Sequence, residues 1–180
     1  VSLYGDTAVV PMYTRMGINV ALGMDWVISG SMNMLRELKC ADSLNTTRFN
    51  KALSDEQLWR MTTASAADIT KTSTQIGRIG VGKIADLAMY RQQLSKTHRS
   101  VIEAEAADVV MTMRGGKIIY GDAPIVGAFD ATSQCETLDV CGTMKRICAR
   151  TEFLSNATAT VPAKSLAELQ AANAATYPLF

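Results

Sequence analysis

The sequence predicts an α/β fold at its N-terminal side that is followed by an antiparallel β-rich part, and three observations support this. Residues 18–25 form a mostly apolar run, which is typical of a strand covered on both faces. A predicted helix and Gly17 precede this run, which is the helix-to-strand step of a wound or barrel fold. From about residue 70 onward, glycines separate short apolar segments. Among them, Gly115-Gly116 lies between two strand-like runs and favours a hairpin.

Asp25 ends the apolar run of residues 18–25 and is the first candidate site residue. In parallel α/β folds the carboxyl ends of the strands open onto the ligand crevice. A carboxylate at this position is therefore a stronger indication of a functional site than a carboxylate on a surface loop. The alternative is that Asp25 caps the following turn, and the local sequence favours the two interpretations about equally.

Two helices are predicted between this strand and residue 70. Methionine and leucine recur at helical spacing over residues 32–41, and Ser31 is the natural N-cap. Ser54 with Gln57 forms a capping box that opens a second helix over residues 54–68. Because small residues fill the end of this second helix, it either continues closely packed or breaks and restarts.

Changes in the pattern of glycines and apolar segments divide the chain into residues 1–69, 70–122 and 123–180. The middle part is predicted to be β-rich. The last part is predicted to be an irregular tail that ends in a helix, which a capping box of Ser165 and Glu168 opens.

Composition excludes several classes of partner. The net charge of +1, with acids and bases interspersed, gives no electrostatic basis for binding nucleic acid or an anionic membrane. No apolar run approaches the roughly 20 residues of a membrane-spanning helix, and no leader is visible, so both a cytoplasmic and an exported location stay open. The first residue is Val1 rather than Met, which we interpret as a processed product or a fragment.

Cysteine and histidine give little support for a metal site within the chain. The spacing of Cys135, Cys141 and Cys148 is too wide for a zinc cluster, and His98 is the only histidine. One disulfide within this trio is compatible with an exported protein, without a defined pairing. His98 lies in a polar stretch, which favours a loop histidine over a member of a catalytic triad.

Several segments together resemble a known family. They are, in order, VALGMD (20–25), MTTASAA (61–67), IGRIGVGKIADL (76–87), DVV (108–110) and GKIIY (116–120). In this order and spacing the sequence resembles the C-terminal portion of a metal-dependent amidohydrolase, in the branch of cytosine deaminase-like and chlorohydrolase-like enzymes. The resemblance covers roughly residues 5–122 and does not extend to the tail with the three cysteines.

The resemblance implies a fold of class α/β plus β. It would comprise the last strand and helices of a (β/α)8 TIM barrel, followed by the C-terminal part of a small β-sandwich. Residues 18–25 would be the eighth barrel strand, 54–68 the last barrel helix and 76–121 the sandwich segment. Asp25 would bind the zinc, or another divalent metal, of the complete enzyme and take a proton from the attacking water. Trp26 would border the substrate pocket.

The sequence also departs from the family, because the remaining metal ligands of such enzymes are histidines, and sometimes a carboxylated lysine, on earlier strands. We therefore expect a fragment that is inactive and metal-free alone, with the N-terminal barrel portion of the same enzyme as its partner. The complete enzyme would hydrolyse C–N bonds of a small molecule. Exposed barrel edges would favour self-association into a homo-oligomer. The alternative is a non-catalytic, β-rich interaction module without metal.

Overall fold

The computed structural model describes residues 5–25, 30–92, 94–130, 135–150 and 164–176. In chain order its helices are α1 (Val10–Arg15), α2 (Met34–Thr47), α3 (Asp55–Met61), α4 (Ala64–Ile69), α5 (Arg99–Glu103), α6 (Ala123–Phe129) and α7 (Leu166–Thr176). The strands are β1 (Leu87–Tyr90), β2 (Val109–Arg114), β3 (Lys117–Asp122), β4 (Glu136–Val140) and β5 (Thr143–Ile147). A 3₁₀ turn, Ala106–Asp108, precedes β2.

The described residues divide into two compact units. The helical unit contains the residues up to Ala85 together with Tyr90–Glu105, and the sheet unit contains Asp86–Met89 and the residues from Ala106 onward. The limits predicted from the sequence, at residues 69 and 122, stay predictions. Within the described residues, no helix combines the length and apolar character that a membrane crossing requires.

The helical unit is built around one apolar core. Its buried members are Leu38, Leu53, Leu58, Met61 and Ile102. The predicted capping box at the start of α3 is confirmed, because Gln57 N donates to Ser54 Oγ at 3.2 Å and Ser54 N donates to Gln57 Oε1 at 2.8 Å. Together these bonds satisfy two backbone donors and hold the first turn of α3.

One helix start needs correction. Helix α2 begins at Met34 rather than near Ser31, because Asn33 is its N-cap and accepts the N–H of Arg36 at 2.9 Å. The helix predicted over residues 54–68 breaks at residues 62–63 and restarts at Ala64, which is one of the two alternatives that the sequence left open. The hydroxyl groups of both threonines there donate to the Trp59 carbonyl, which draws that oxygen out of the regular helical pattern.

Residues 18–25 do not form the predicted buried strand. Val20 and Leu22 pack against the core, but Ile18 and Met24 are 48% and 42% exposed. Leu22 N donates to Met61 O at 3.1 Å, a contact with a helix rather than a neighbouring strand. A parallel strand needs ladder hydrogen bonds to its neighbours, and in the described part of the chain residues 18–25 pair with no strand.

The sheet unit is one five-stranded sheet with the order β1-β2-β3-β5-β4. The predicted Gly-Gly hairpin is confirmed, since Arg114 pairs with Lys117 and Gly115 and Gly116 have φ angles of 56° and 81°. These two positive φ angles suit a two-residue hairpin turn. The helix expected at the C-terminal end is confirmed as α7.

In the described residues after residue 122, where the sequence predicts an irregular tail, the structure has regular elements. Helix α6 and the β4–β5 hairpin follow, and β5 joins the sheet by pairing with β3. A disulfide between Cys135 and Cys148, with an S–S distance of 2.02 Å, closes the open end of this hairpin. The remaining cysteines, Cys40 and Cys141, are free and exposed.

We expect Gly77→Ala to destabilise the helical unit by about 2–4 kcal/mol. Gly77 has a φ angle of +86°, and a Cβ there would lie 2.3 Å from Ala67 Cβ, so backbone strain adds to overpacking. Gly82→Ala is the matched control, because Gly82 has a φ angle of +80° with nothing within 4 Å of a built Cβ. Urea unfolding followed by tryptophan fluorescence measures both variants. Equal losses would contradict the packing contribution, and Ala67→Gly should rescue Gly77→Ala alone.

Candidate active-site segment

Asp25 lies at the end of the extended segment 18–25 and its side chain is exposed. Val20 and Leu22 pack against the core of the helical unit, and these contacts hold this segment on the unit. Trp26, the predicted pocket residue, lies outside the described residues. In the described part of the chain, Asp25 belongs to no cluster of three or more potential metal-ligating side chains. Its predicted catalytic and metal-binding roles therefore stay predictions.

An open cavity of about 370 Å³ lies at the other end of this segment. Residues 17–20 form one wall of the cavity, and Ser54, Gln57 and Arg60 contribute polar groups from the start and outer face of α3. Asp25 does not line this cavity. The carboxylate and the concave surface are thus separate features of the helical unit.

An ion pair joins α4 to the loop that follows it. Arg78 donates from Nη1 and Nη2 to the two carboxylate oxygens of Asp68, at 2.9 and 2.7 Å. This bidentate hydrogen bonding with Arg78 lowers the pKa of Asp68 from 3.8 to about 2. The pair lies next to Gly77 in the segment that carries the family resemblance, and it holds the loop against α4.

We expect Asp68→Asn to change how stability depends on pH. The pKa of Asp68 is lower in the folded chain than in the unfolded chain, so its contribution is fully present above about pH 4 and is lost as the pH falls through about 2. The melting temperature of Asp68→Asn should lie below that of the unmodified chain at pH 6, and the difference should shrink between pH 4 and pH 2. Arg78→Gln should behave in the same way. A difference that stays constant over this range would contradict the assignment.

A second charge cluster ties three helices of the helical unit together. Arg99 Nε donates to Asp55 Oδ2 at 3.0 Å, and Arg99 Nη1 donates to Asp42 Oδ2 at 2.7 Å. The hydrogen bonds to Asp55 and then Asp42 raise the pKa of Arg99 above its ordinary value. Beside this cluster, His98 lies against Trp59 with ring centroids 4.7 Å apart. His98 is thus engaged with an aromatic ring and packs at the surface of the unit.

The sequence analysis missed two features of the sheet unit. Lys145 is fully buried, with its ammonium group donating to the carbonyl oxygens of Ala107 and Val109 and to the carboxylate of Asp122. The second feature is the choice of Cys135 and Cys148 among the three clustered cysteines. The β3–β5 pairing places Lys145 opposite Asp122, and the β4–β5 register brings Cys135 next to Cys148. No local sequence pattern carries either piece of information.

Comparison with known proteins places the chain in a family. The model of the amidohydrolase family matches residues 9–120, which is more than half of the 180 residues. The chain belongs to the amidohydrolase family. Among solved structures it is similar to an adenosine deaminase from Xanthomonas campestris with bound zinc, with 27% sequence identity and a TM-score of 0.55. No curated protein matches the chain.

The structural similarity covers only part of this chain and only part of the deaminase chain. It covers 61% of this chain and 27% of the deaminase chain, so the chain spans about a quarter of the length of that relative. The antiparallel sheet and the helices of the described residues agree with an amidohydrolase-like fold. The similarity supports a divalent metal in a complete enzyme of this kind.

The described residues do not by themselves fit a zinc site. A tetrahedral zinc centre takes four ligands, three or four of them from protein side chains. Asp25 is the only site donor that the sequence analysis identified, and the described residues contain no group of three or more His, Cys, Asp or Glu side chains that could hold a metal. The donors among the described residues are therefore insufficient to hold zinc by themselves.

Proposed function

We propose that this chain is the C-terminal part of a metal-dependent amidohydrolase that hydrolyses a C–N bond of a small molecule. The observation that carries the proposal is the family match over residues 9–120, which includes Asp25. The zinc-bound deaminase supports a reaction at carbon bound to nitrogen and a divalent metal in the complete enzyme. The substrate would carry an amide, amidine or ring-amine bond.

In this proposal Asp25 supplies the carboxylate of the complete site. A carboxylate within hydrogen-bonding reach of a water can take its proton and return it to a leaving nitrogen. The exposure of Asp25 at the end of an extended segment supports this role, because the side chain is accessible to groups from another part of the enzyme. Trp26, the next residue, would border the bound substrate.

The other metal ligands would come from an N-terminal barrel portion that lies outside residues 1–180. Two facts support this part of the proposal. The chain covers 27% of the deaminase chain. It also contains one histidine, His98, which is distant from residues 18–25 in the sequence and packs on Trp59. The segment 18–25 would become the eighth barrel strand when neighbouring strands supply its ladder hydrogen bonds. The chain alone would then be inactive.

A second candidate function is a non-catalytic interaction module. The observation in its favour is the sheet unit, which has a disulfide, a fully buried Lys145 with hydrogen-bond partners, and two edge strands, β1 and β4. Edge strands offer backbone groups to a further strand of a partner. This module would bind without metal.

Release of ammonia or amine tests the enzymatic proposal. The protein would be isolated from its native source with an antibody against α2 and incubated with a panel of small cyclic amines, amidines and amides. We expect release that stops after chelation of divalent metal and returns when Zn²⁺ is added. Release that is insensitive to chelation would contradict the metal dependence, and binding of a protein partner without any hydrolysis would favour the second candidate.

A further inference from the structure

Helix α7 is attached to the β4–β5 hairpin through its first turn. The carboxylate of Glu136, the first residue of β4, accepts the backbone N–H groups of Leu166 and Ala167, the latter at 3.2 Å. The first N–H groups of a helix have no partner within the helix, and its dipole favours negative charge at this end. Glu136 therefore acts as a cap that comes from a different element.

A second contact joins the same turn to the residues after β5. Arg150 Nη2 lies 3.1 Å from Glu168 Oε2. Glu168 also closes the capping box, because Ser165 N donates to its carboxylate at 2.6 Å. Hydrogen bonds from Ser165 lower the pKa of Glu168, so this anchor carries its charge near neutral pH.

Residues 170–174 of α7 contribute little burial to this attachment, because they are exposed, although the helix is rich in alanine and leucine. The contacts that hold the start of α7 are thus polar, and they depend on the side chains of Glu136 and Arg150.

The disulfide lies between the two anchors. Glu136 directly follows Cys135, and Arg150 is two residues beyond Cys148. The hairpin ladder ends at the pair Glu136–Ile147, so the disulfide closes the hairpin immediately outside its last paired residues. Cys135 and Cys148 pack with Val126 of α6 and are 8% and 2% exposed. The disulfide therefore restrains the end of the hairpin that carries both anchors, next to the ladder pair Glu136–Ile147.

We propose that the Cys135–Cys148 disulfide is a redox-controlled latch for α7. With the bond formed, Glu136 and Arg150 hold the helix on the hairpin. Reduction by a dithiol breaks the S–S bond and forms two thiols, and the dithiol supplies two electrons and two protons and leaves as its own disulfide. The end of the hairpin then loosens and α7 separates from it.

The reductant must come from outside the chain, because reduction to two thiols requires a dithiol and, of the two free cysteines, Cys40 can supply only one thiol. Cys141 is free, but it lies in the turn that joins β4 to β5, at the opposite end of the hairpin from the disulfide. Five residues of extended strand separate the two ends by about 17 Å. Cys141 therefore cannot exchange with Cys135–Cys148 while the hairpin is formed.

Hydrogen exchange of the full chain, followed by mass spectrometry, tests the latch. Peptides that cover α7 are compared between the oxidised protein and the protein treated with dithiothreitol, and a mass gain of two hydrogens verifies reduction. We expect exchange in α7 to become at least about tenfold faster, while the β2–β3 hairpin keeps its protection. Glu136→Ala should release α7 with the disulfide intact, because alanine offers no side-chain oxygen to the N–H groups of Leu166 and Ala167. Cys141→Ser should leave exchange in α7 unchanged.

Three results would overturn the latch. The first is equal α7 protection in the oxidised and the verified reduced protein. The second is an α7 that exchanges freely while the disulfide is intact. The third is loss of protection throughout the sheet on reduction, which would mean general unfolding. If Cys135→Ser/Cys148→Ser, the genetic counterpart of reduction, does not fold, the oxidised and reduced forms of the unmodified protein still test the latch. Unchanged α7 exchange in Glu136→Ala would contradict the anchoring role.

Discussion

Asp25→Asn is expected to lower kcat/KM of the complete enzyme by about 10²–10⁴-fold, the range that a positioned proton-transfer group contributes. The substitution keeps the shape of the side chain but removes the charge and the capacity to accept a proton. Asp25 is exposed at the end of residues 18–25, so its replacement should leave the fold of this chain intact.

The matched control for Asp25→Asn is Asp6→Asn. Asp6 is also an exposed carboxylate of the helical unit, and its contacts are a hydrogen bond from Thr7 N and an ion pair with Arg48 at 3.5 Å. Activity of Asp6→Asn should stay within about twofold of the unmodified enzyme, as for most surface substitutions. An Asp25→Asn enzyme with unchanged kcat/KM and unchanged metal content would contradict the role of Asp25.

Lys145→Met is expected to destabilise the sheet unit by about 3–5 kcal/mol. The side chain of Lys145 is 0% exposed, and its ammonium group donates to the carbonyl oxygens of Ala107 and Val109 at 2.6 and 2.8 Å and to the Asp122 carboxylate. Methionine fills a similar volume but donates no hydrogen bond. The substitution therefore removes the donor from two carbonyl groups and the counter-charge from a carboxylate that is 15% exposed.

Hydrogen exchange of β3 and β5 in the full chain, together with urea unfolding followed by circular dichroism, measures this loss. Lys117→Met is the control, because Lys117 is an exposed lysine of the same sheet, at the start of β3. It should change the free energy of unfolding by less than about 0.5 kcal/mol. Replacing both Lys145 and Asp122 by uncharged residues should recover part of the loss. If Lys145→Met and Lys117→Met were equally stable, the buried ammonium would not support the sheet.

Local signals in the sequence were sufficient for much of the fold. The Ser54–Gln57 capping box and the Gly115-Gly116 hairpin each depend on residues close together in the chain, and the structure contains both. The helix that Ser165 opens is present for the same reason, since Glu168 lies three residues away. In such short-range patterns the residues that form the hydrogen bonds lie within a few positions of each other in the sequence, so the pattern alone predicts the structure.

Features that depend on distant partners could not be predicted in the same way. Residues 18–25 have the composition of a buried strand, but a strand requires neighbours, and none pairs with them in the described part of the chain. The burial of Lys145 depends on Asp122, 23 residues away, through the β3–β5 pairing. The family resemblance was confirmed at the level of the amidohydrolase family, whereas the deaminase-like branch and the roles of Asp25 and Trp26 stay predictions.

The most direct test of the central proposal is the intact mass of the protein isolated from its native source, measured under denaturing conditions together with its divalent metal content. The account predicts bound metal and a polypeptide complement larger than the 19.4 kDa of these 180 residues, either as one longer chain or as a second chain of barrel size. A single 19.4 kDa species without metal would contradict it, and the family resemblance would then describe the ancestry of the chain rather than its activity.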